Sequence, residues 1–160
     1  MSLSLTIPGE PVALQRHRHT RNGRTYNPPA NVEYAERIKL AWRDAGSPKV
    51  EGPLTLSARF YLPRPRSHHR SGRFSRFLKP SAPALPDGKP DLSNLVKGLE
   101  DALNGCAYAD DAKIVCYSGC HKLYADHGLP RAELDLWLAT APYLTAEQNR
   151  DVTEALLEVA

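Results

Sequence analysis

Three features are scarce in this chain of 160 residues, and each scarcity excludes a class of protein. No run of 18 apolar residues occurs, so we expect no transmembrane helix and no membrane partner. The three cysteines are an odd and sparse set, which argues against a disulfide framework and favours reduced thiols. The first ten residues, MSLSLTIPGE, lack the basic stretch and long apolar core of a secretory signal peptide. These absences together predict a cytoplasmic protein.

The residues that are present fit one globular domain spanning residues 1–160. Charged residues make up 24% and the apolar and aromatic group 41%, both ordinary values for such a protein. A chain of this length can bury an adequate hydrophobic core. We see no internal repeat, so we expect a single domain that carries one long loop.

Basic charge is concentrated in two stretches, although the formal net charge is only +3. Residues 63–90 hold seven basic residues, one acidic residue and six prolines, without an apolar period, and therefore predict a long functional loop. Residues 16–24 add four arginines and two histidines. Such clustering predicts a polyanion site. The candidate contacts are Arg16, Arg18, Arg64, Arg66, Arg70, Arg73, Arg76, Lys79 and Lys89.

Two phenylalanines, Phe74 and Phe77, lie among the arginines of this loop. Exposed aromatic rings can stack on nucleic-acid bases or wedge between them. The same rings could instead anchor the loop or build a dimer interface. The sequence leaves both interpretations open.

Hydrophobic periodicity predicts the order β, loop, α, β, long loop, α, β, β, α. The expected elements are a strand through Leu3–Ile7, a helix 32–45 capped by Asn31, strands 53–62, 113–122 and 131–138, a helix 91–104, and a last helix from Thr145 to about Glu158. Three of the four strands alternate apolar and polar residues, which is typical of a sheet with one covered face. We therefore expect an α+β fold: a mainly antiparallel or mixed four-stranded sheet with helices packed on one face.

Acidic residues stand at both ends of one short unit, residues 89–113. Asp91 lies where the helix begins, and Asp110 and Asp111 follow the Asn104-Gly105 stop. Mg²⁺ prefers oxygen ligands and usually takes one or two carboxylates with water and phosphate. Lys97, between the acids, could reach a phosphate oxygen. Helix capping and ordinary turn chemistry would explain the same acids, so spacing alone leaves both interpretations open.

A longer pattern surrounds these acids: Lys89-Pro90-Asp91-Leu92-x-Asn94-Leu95-x-Lys97, then Asp101-Ala102-Leu103-Asn104-Gly105, then Asp110-Asp111-x-x-Ile114. It resembles the RusA family of Holliday junction resolvases, and Ile7-Pro8-Gly9-x-Pro11 is similar to that family's opening strand and turn. The resemblance implies a homodimeric, Mg²⁺-dependent endonuclease, with Mn²⁺ able to substitute. Such enzymes resolve four-way DNA junctions by paired symmetric nicks during recombination and repair, and many are encoded by phages or prophages.

The resemblance also implies roles for individual residues. Asp91, Asp110 and Asp111 correspond to the metal-binding acids, and Asp91, Lys97 and Asp111 to the catalytic residues, with Lys97 also touching DNA. The expected partner is branched DNA, and the expected location is the bacterial nucleoid or a phage-infected cell.

Position 93 departs from the family pattern. The family usually has Asp-x-Asp-Asn, whereas this chain has Asp91-Leu92-Ser93-Asn94. Serine is a neutral ligand, so the site loses a negative charge and is expected to bind Mg²⁺ less tightly. Three explanations stay open: a junction-binding protein with weakened or lost nuclease activity, compensation by another acid such as Asp101, or sufficiency of the three remaining acids. Asp101 lies about 15 Å along the helix from Asp91, which is unfavourable for a shared ion.

Overall fold

The computed structural model describes residues 2–15, 18–19, 22, 25–126 and 128–140. Two α-helices lie within these ranges, α1 (Pro29–Asp44) and α2 (Leu92–Leu103). The strands are β1 (Ser2–Pro8), β2 (Arg18–His19), β3 (Thr25–Tyr26), β4 (Leu54–Leu62), β5 (Ile114–Tyr117), β6 (His121–Tyr124) and β7 (Arg131–Leu138). The expected helix from Thr145 lies outside the described residues. Within the described part, no helix is long and apolar enough to cross a membrane.

Strand β4 lies at the centre of a mixed sheet of five strands. On one side it pairs antiparallel with β7, and β7 pairs antiparallel with β1. On the other side β4 pairs in parallel with β5 near Leu54 and with β6 near Arg59. Strands β2 and β3 form a separate two-stranded ladder. The expected α+β class with a mixed sheet is confirmed.

The single strand expected over residues 113–122 was wrong, and this accounts for the additional strand in the sheet. The chain leaves the ladder after Tyr117 and re-enters it at His121. Gly119 lies between them with a φ of +76°, a conformation that glycine adopts at little cost. Its carbonyl accepts a hydrogen bond from Ser57 Oγ at 3.3 Å, which fixes the break against β4.

One face of the sheet forms the core and carries both helices. The strand register places Leu5, Leu134 and Ala58 in one row of this face. All three are buried in the same cluster as the inward residues of the helices. From α1 and α2 these are Tyr34, Ile38, Trp42, Leu95, Val96, Leu99, Ala102 and Leu103. The expected packing of helices on one face is therefore confirmed.

Helix α1 begins three residues before the expected start. Proline occupies the first helical position, where its missing N–H has no intrahelical partner to lose. Asn31, expected as the cap, is instead buried inside the first turn. Its Nδ2 donates to the Gln15 carbonyl and to Asn27 Oδ1, both at 2.9 Å. The side chain thus ties the segment after β1 to the start of α1 rather than capping the helix.

The other face of the sheet carries a partly exposed charge network centred on Glu133. Arg59 donates to Glu133 Oε2 at 3.0 Å and to Asp135 at 3.0 Å. Arg131 donates to Glu133 Oε1 at 2.7 Å. Ion pairs with this exposure contribute up to about 1 kcal/mol each.

Replacing Glu133 by glutamine is expected to lower the free energy of unfolding by about 1 kcal/mol at neutral pH. Burial alone would raise the pKa of Glu133, but hydrogen bonds from Arg131 and Arg59 outweigh it and lower the pKa below its usual value of 4.5. The contribution is therefore present above the unfolded pKa and lost as pH falls through the folded pKa. Urea unfolding across this range should show the two proteins converging in acid. Glu36→Gln, in an exposed pair with Lys39, is the control; a Glu133→Gln difference independent of pH would contradict the assignment.

Candidate active site

One side of α2 presents three polar residues next to its buried stripe. Ser93, Lys97 and Glu100 are separated by four and three residues, so they form one column along the helix. Ser93 and Lys97 are exposed, whereas Glu100 is only 8% exposed. The amphipathic pattern that seats α2 on the core therefore also aligns a hydroxyl, an ammonium and a carboxylate.

This column forms one wall of a cavity of about 490 Å³. Tyr117, at the end of β5, and Cys120, just before β6, line the cavity together with the helix residues. The break between β5 and β6 therefore lies directly opposite the polar column of α2. The lining residues are Leu92, Ser93, Val96, Lys97, Glu100, Tyr117 and Cys120.

Glu100 is the most buried acid of the site. Its Oε1 accepts a hydrogen bond of 2.6 Å from the Tyr117 hydroxyl, and its main-chain carbonyl accepts one of 3.0 Å from the Tyr108 hydroxyl. Burial raises the pKa of Glu100; the Tyr117 hydrogen bond opposes this, and the negative charge of Asp111 raises the pKa further. The hydrogen bond to Glu100 also raises the pKa of Tyr117, to about 12.

Asp111 is the predicted site acid that the structure brings to this cluster. It opens a short 3₁₀ helix, Asp111–Lys113, that leads directly into β5. The side chain is half-buried, and its charge acts on Glu100, Tyr108 and Tyr117. Asp110 precedes it and caps the same short helix, because its Oδ1 accepts the Ala112 N–H at 2.9 Å.

Asp91 lies in the N-cap position of α2 but does not cap the helix with its side chain. Its exposed carboxylate accepts only a long hydrogen bond, 3.4 Å, from the Asn94 side chain. Ordinary helix capping therefore does not account for this acid. Asp91 does not line the cavity, but the next two residues of the chain, Leu92 and Ser93, do.

The acidic residues near the cavity suit a metal site that is completed by water and substrate, and not a site made entirely of protein ligands. Among the described residues, no group of three or more His, Cys, Asp or Glu side chains is arranged to hold a metal ion. The described residues therefore form no all-protein cage for a metal. Mg²⁺ in phosphoryl-transfer sites commonly takes one or two carboxylates and completes its shell with water and substrate phosphate. The carboxylates beside the cavity, with a DNA phosphate, fit that second kind.

The basic loop predicted at 63–90 is folded back on itself. Short 3₁₀ helices span Arg66–His68 and Gly72–Phe74, and His69 pairs with Leu78 in an isolated antiparallel bridge. Arg73 lies over the Phe74 ring and Arg76 over the Phe77 ring, each at 4.8 Å from the ring centroid. Both rings are 45% exposed. The loop thus presents two stacked arginine–phenylalanine pairs to solvent.

The base of this loop is anchored by Arg64, which the sequence placed among the DNA contacts. Its Nε and one terminal nitrogen each lie 2.6 Å from the Asp126 carboxylate, and its other terminal nitrogen donates to the Pro83 carbonyl at 2.8 Å. The guanidinium also stacks on Tyr124 at 3.9 Å, and the side chain is only 6% exposed. These contacts give Arg64 an internal role.

Lys122 anchors the other end of the loop beside α2. Its Nζ donates to the Gly88 carbonyl at 2.7 Å and to the Pro90 carbonyl at 2.9 Å. This residue was not singled out from the sequence, because its partners lie more than thirty positions away. The remaining predicted cations are exposed: Arg66, Arg70, Arg73, Arg76, Lys79, Lys89 and Lys97. Arg16 lies outside the described residues, and Arg18 belongs to β2.

Glu100 and Tyr117 are the site residues that sequence reasoning missed. The signal for Glu100 was present, because it follows Ser93 by seven positions and borders the apolar stripe of α2. Nothing local marked Tyr117, which lies across the cavity and is brought there by the sheet.

The site therefore combines a buried glutamate and an exposed lysine in one cavity, and a basic loop is exposed on the same protein. The chain belongs to the RusA family: the family model described as Endodeoxyribonuclease RusA matches residues 8–136. Uncharacterized protein YqaN of Bacillus subtilis (strain 168) is 32% identical over 136 residues, which cover 82% of this chain and 93% of YqaN. The family match includes the loop, α2 and the Asp110-Asp111 pair.

Proposed function

We propose that this protein is a metal-dependent endonuclease that resolves four-way DNA junctions by paired symmetric nicks, in recombination and repair of chromosomal or phage DNA. The observation that carries the proposal is the cavity beside α2. There an exposed lysine, a buried glutamate and the nearby Asp111 meet close to the anchored end of a basic loop. Membership of the RusA endodeoxyribonuclease family supports the same activity.

The site would act by positioning a scissile phosphate against fixed charges. Bound Mg²⁺, or Mn²⁺, would polarise that phosphate and lower the pKa of a bound water. We assign Asp91, Asp110 and Asp111 to holding the cation. Lys97 is exposed at the cavity and can donate to a phosphate oxygen, stabilising charge that develops there.

The start of α2 offers a second contact for a phosphate. The first turn of a helix has backbone N–H groups without intrahelical acceptors and carries the positive end of the helix dipole. The Asp91 side chain does not occupy those groups. They therefore remain available to a DNA phosphate at the end of the helix where Asp91 and Ser93 lie.

Symmetric nicking requires two active sites that face opposite strands. A two-fold homodimer supplies them, because its symmetry matches that of a four-way junction. The exposed cations from Arg66 to Lys79 would hold the junction arms through phosphate contacts. The Phe74 and Phe77 rings are exposed enough to stack on bases at an open junction centre.

A second candidate is a junction-binding protein of the same fold that does not cut. It is favoured by one observation: Ser93, where the family pattern has an aspartate, lines the cavity itself. A neutral hydroxyl at that point weakens the attraction for a divalent cation.

A cleavage assay separates these two functions. Incubated with a synthetic four-way junction and Mg²⁺ or Mn²⁺, the protein is expected to nick opposing strands at symmetric positions. Linear duplex and EDTA samples should stay intact. Light scattering during size-exclusion chromatography should give twice the mass of the chain. Tight junction binding without nicks would establish the binding protein instead, and no preference for the junction over duplex at low salt would reject both.

A further inference from the structure

A second cavity, of about 560 Å³, lies between residues 12–15, α1 and α2, and we call it the interhelix cavity. Lys97 lines both this cavity and the one beside Ser93, so the two are neighbours. Asp101, the compensating acid considered from the sequence, is exposed and lines the interhelix cavity, not the cavity beside Ser93. The volume of the interhelix cavity lies within the range of cavities that bind small molecules.

Close contacts between the three segments fix the walls of the interhelix cavity. The Leu14 N–H donates to the Asn94 carbonyl of α2 at 2.9 Å. A Cβ on Gly98 would already be in van der Waals contact with the Leu14 nitrogen, at 3.4 Å, so this segment packs directly on the helix. At the start of α1, Asn31 Nδ2 donates to the Gln15 carbonyl at 2.9 Å. The cavity is therefore part of the folded structure and needs no rearrangement to form.

The Tyr34 hydroxyl is the observation that points to a ligand in this cavity. Tyr34 is 2% exposed and lines the cavity, yet its hydroxyl oxygen is buried without a hydrogen-bond partner among the described residues. Burial raises the pKa of Tyr34, so the hydroxyl keeps its proton and can donate it to an acceptor. A buried polar group without a partner costs about 1–3 kcal/mol. A ligand that accepts this hydrogen bond would remove that cost.

The other polar groups of the interhelix cavity suit a nucleotide. Asn27 is exposed there, and an amide can both donate to and accept from the edge of a base. Two lysines, Lys39 and Lys97, against one acid, Asp101, give the lining a net charge of +1. Lys39 is paired with Glu36 at 3.1 Å, whereas Lys97 forms no ion pair within the described part of the chain. Lys97 is therefore the cation available to a phosphate.

Apolar side chains complete the cavity, among them Val12, Leu14 and Ala35. Proteins that bind an unstacked base hold its faces between apolar side chains and hydrogen-bond its edge. We propose that the interhelix cavity binds one unpaired deoxynucleotide, with the Tyr34 hydroxyl donating to the base and Lys97 contacting the phosphate. The source is either the junction strand that carries the scissile phosphate or a free mononucleotide. The junction source rests on the proposed endonuclease function, because Lys97 would then serve both cavities.

The test with DNA uses four-way junctions that carry 2-aminopurine at each position next to the exchange point in turn. Emission of 2-aminopurine rises when the base leaves the stack, so binding in EDTA should raise it at least about twofold at one position. Ala35→Leu fills the cavity and should abolish the rise. Ala30→Leu makes the same change at an exposed position of α1 outside the cavity lining and is the matched control. Thermal unfolding checks that both variants are folded.

The test without DNA adds each of the four deoxynucleoside 5′-monophosphates to the protein and measures binding by calorimetry. Tyr34→Phe removes only the hydroxyl and should weaken the binding that is found, in either test, about fivefold to tenfold. The same variant without ligand should unfold at the same temperature as the unmodified protein or higher, because it loses a buried hydroxyl that has no partner. A purely structural role for Tyr34 would instead lower the unfolding temperature and leave binding unchanged.

The outcomes separate the two sources and the two proposals. A rise in emission that Ala35→Leu abolishes and Ala30→Leu keeps would support the junction strand as the source. Mononucleotide binding with the same dependence on the variants, but no rise in emission, would support a site for a free nucleotide. Neither signal, in a protein that nicks junctions, would overturn the inference and leave the endonuclease function intact. A protein that neither binds nor nicks junctions would overturn the proposed function, and mononucleotide binding alone would then decide the inference.

Discussion

Replacing Asp111 by asparagine is expected to reduce nicking of a four-way junction at least about 100-fold, because a metal-bound carboxylate supports several kcal/mol of transition-state stabilisation. Asp111 is the predicted acid that the structure places beside Glu100, at the entry to β5. Asparagine keeps the shape of the side chain but removes its negative charge. Single-turnover nicking with saturating protein isolates this effect from binding.

Junction affinity should stay the same or rise slightly in this variant, since removal of a negative charge lessens repulsion of the phosphates. Mobility-shift titrations in EDTA measure that affinity without cleavage. Asp44→Asn removes the same charge from an exposed position at the end of α1 and should leave both binding and nicking unchanged. If Asp111→Asn nicks at a rate within tenfold of the unmodified protein, Asp111 does not hold the cation.

The long strands were predictable because apolar and polar residues alternate along a strand that has one buried and one exposed face. Strands β1, β4 and β7 each alternate, and each was found where the period of two placed it. The packing of helices on this sheet was also predictable, since a sheet with one apolar face needs elements such as α1 and α2 to cover that face. Strand β4 is more buried than its alternating pattern predicts, because Thr55 and Ser57, on the face opposite the core, are buried too.

The shorter features depended on contacts between distant residues. The break between β5 and β6 is held by Ser57, more than sixty positions earlier in the chain. Asn31 was predicted to cap α1 because asparagine is common at the residue before a helix. Its side chain instead hydrogen-bonds Gln15 and Asn27, which precede the helix. Residue propensity and spacing carry no information about such long-range pairings. The start of α1 and the break between β5 and β6 were therefore not predicted.

In the candidate site, too, the features set by local sequence were predictable and those set by distant contacts were not. The acids and Lys97 could be proposed as site residues because they lie close together in sequence, on one helix and the turn after it. The partners of Arg64 and of Glu100 were not, since Asp126 and Tyr117 approach only after the sheet has formed. A charge count over residues 63–90 therefore overstates the cations available to DNA by including Arg64. It also overlooks Glu100, which no count of exposed charge would place in a site.

Replacing Arg73 and Arg76 together by alanine is expected to weaken junction binding roughly 30-fold at moderate salt and to reduce the slope of log K against log salt by about 1.8. Each phosphate contact releases counterions that contribute about 0.9 to that slope. Both guanidinium groups are exposed on the loop, stacked over Phe74 and Phe77, and no described acid pairs with them. Fluorescence anisotropy with a labelled junction across a series of salt concentrations, in EDTA, measures affinity and slope together.

The matched control is Arg43→Ala with Lys49→Ala, which removes the same charge from exposed positions at and after the end of α1. A general loss of positive charge would affect both double variants alike, whereas phosphate contacts by the loop would change the slope only in the loop variant. Equal slopes in the two would show that the loop does not hold the junction arms. Because Arg64 is paired with Asp126 and almost fully buried, Arg64→Ala should instead act on the loop's stability, lowering the unfolding temperature more than either double variant does.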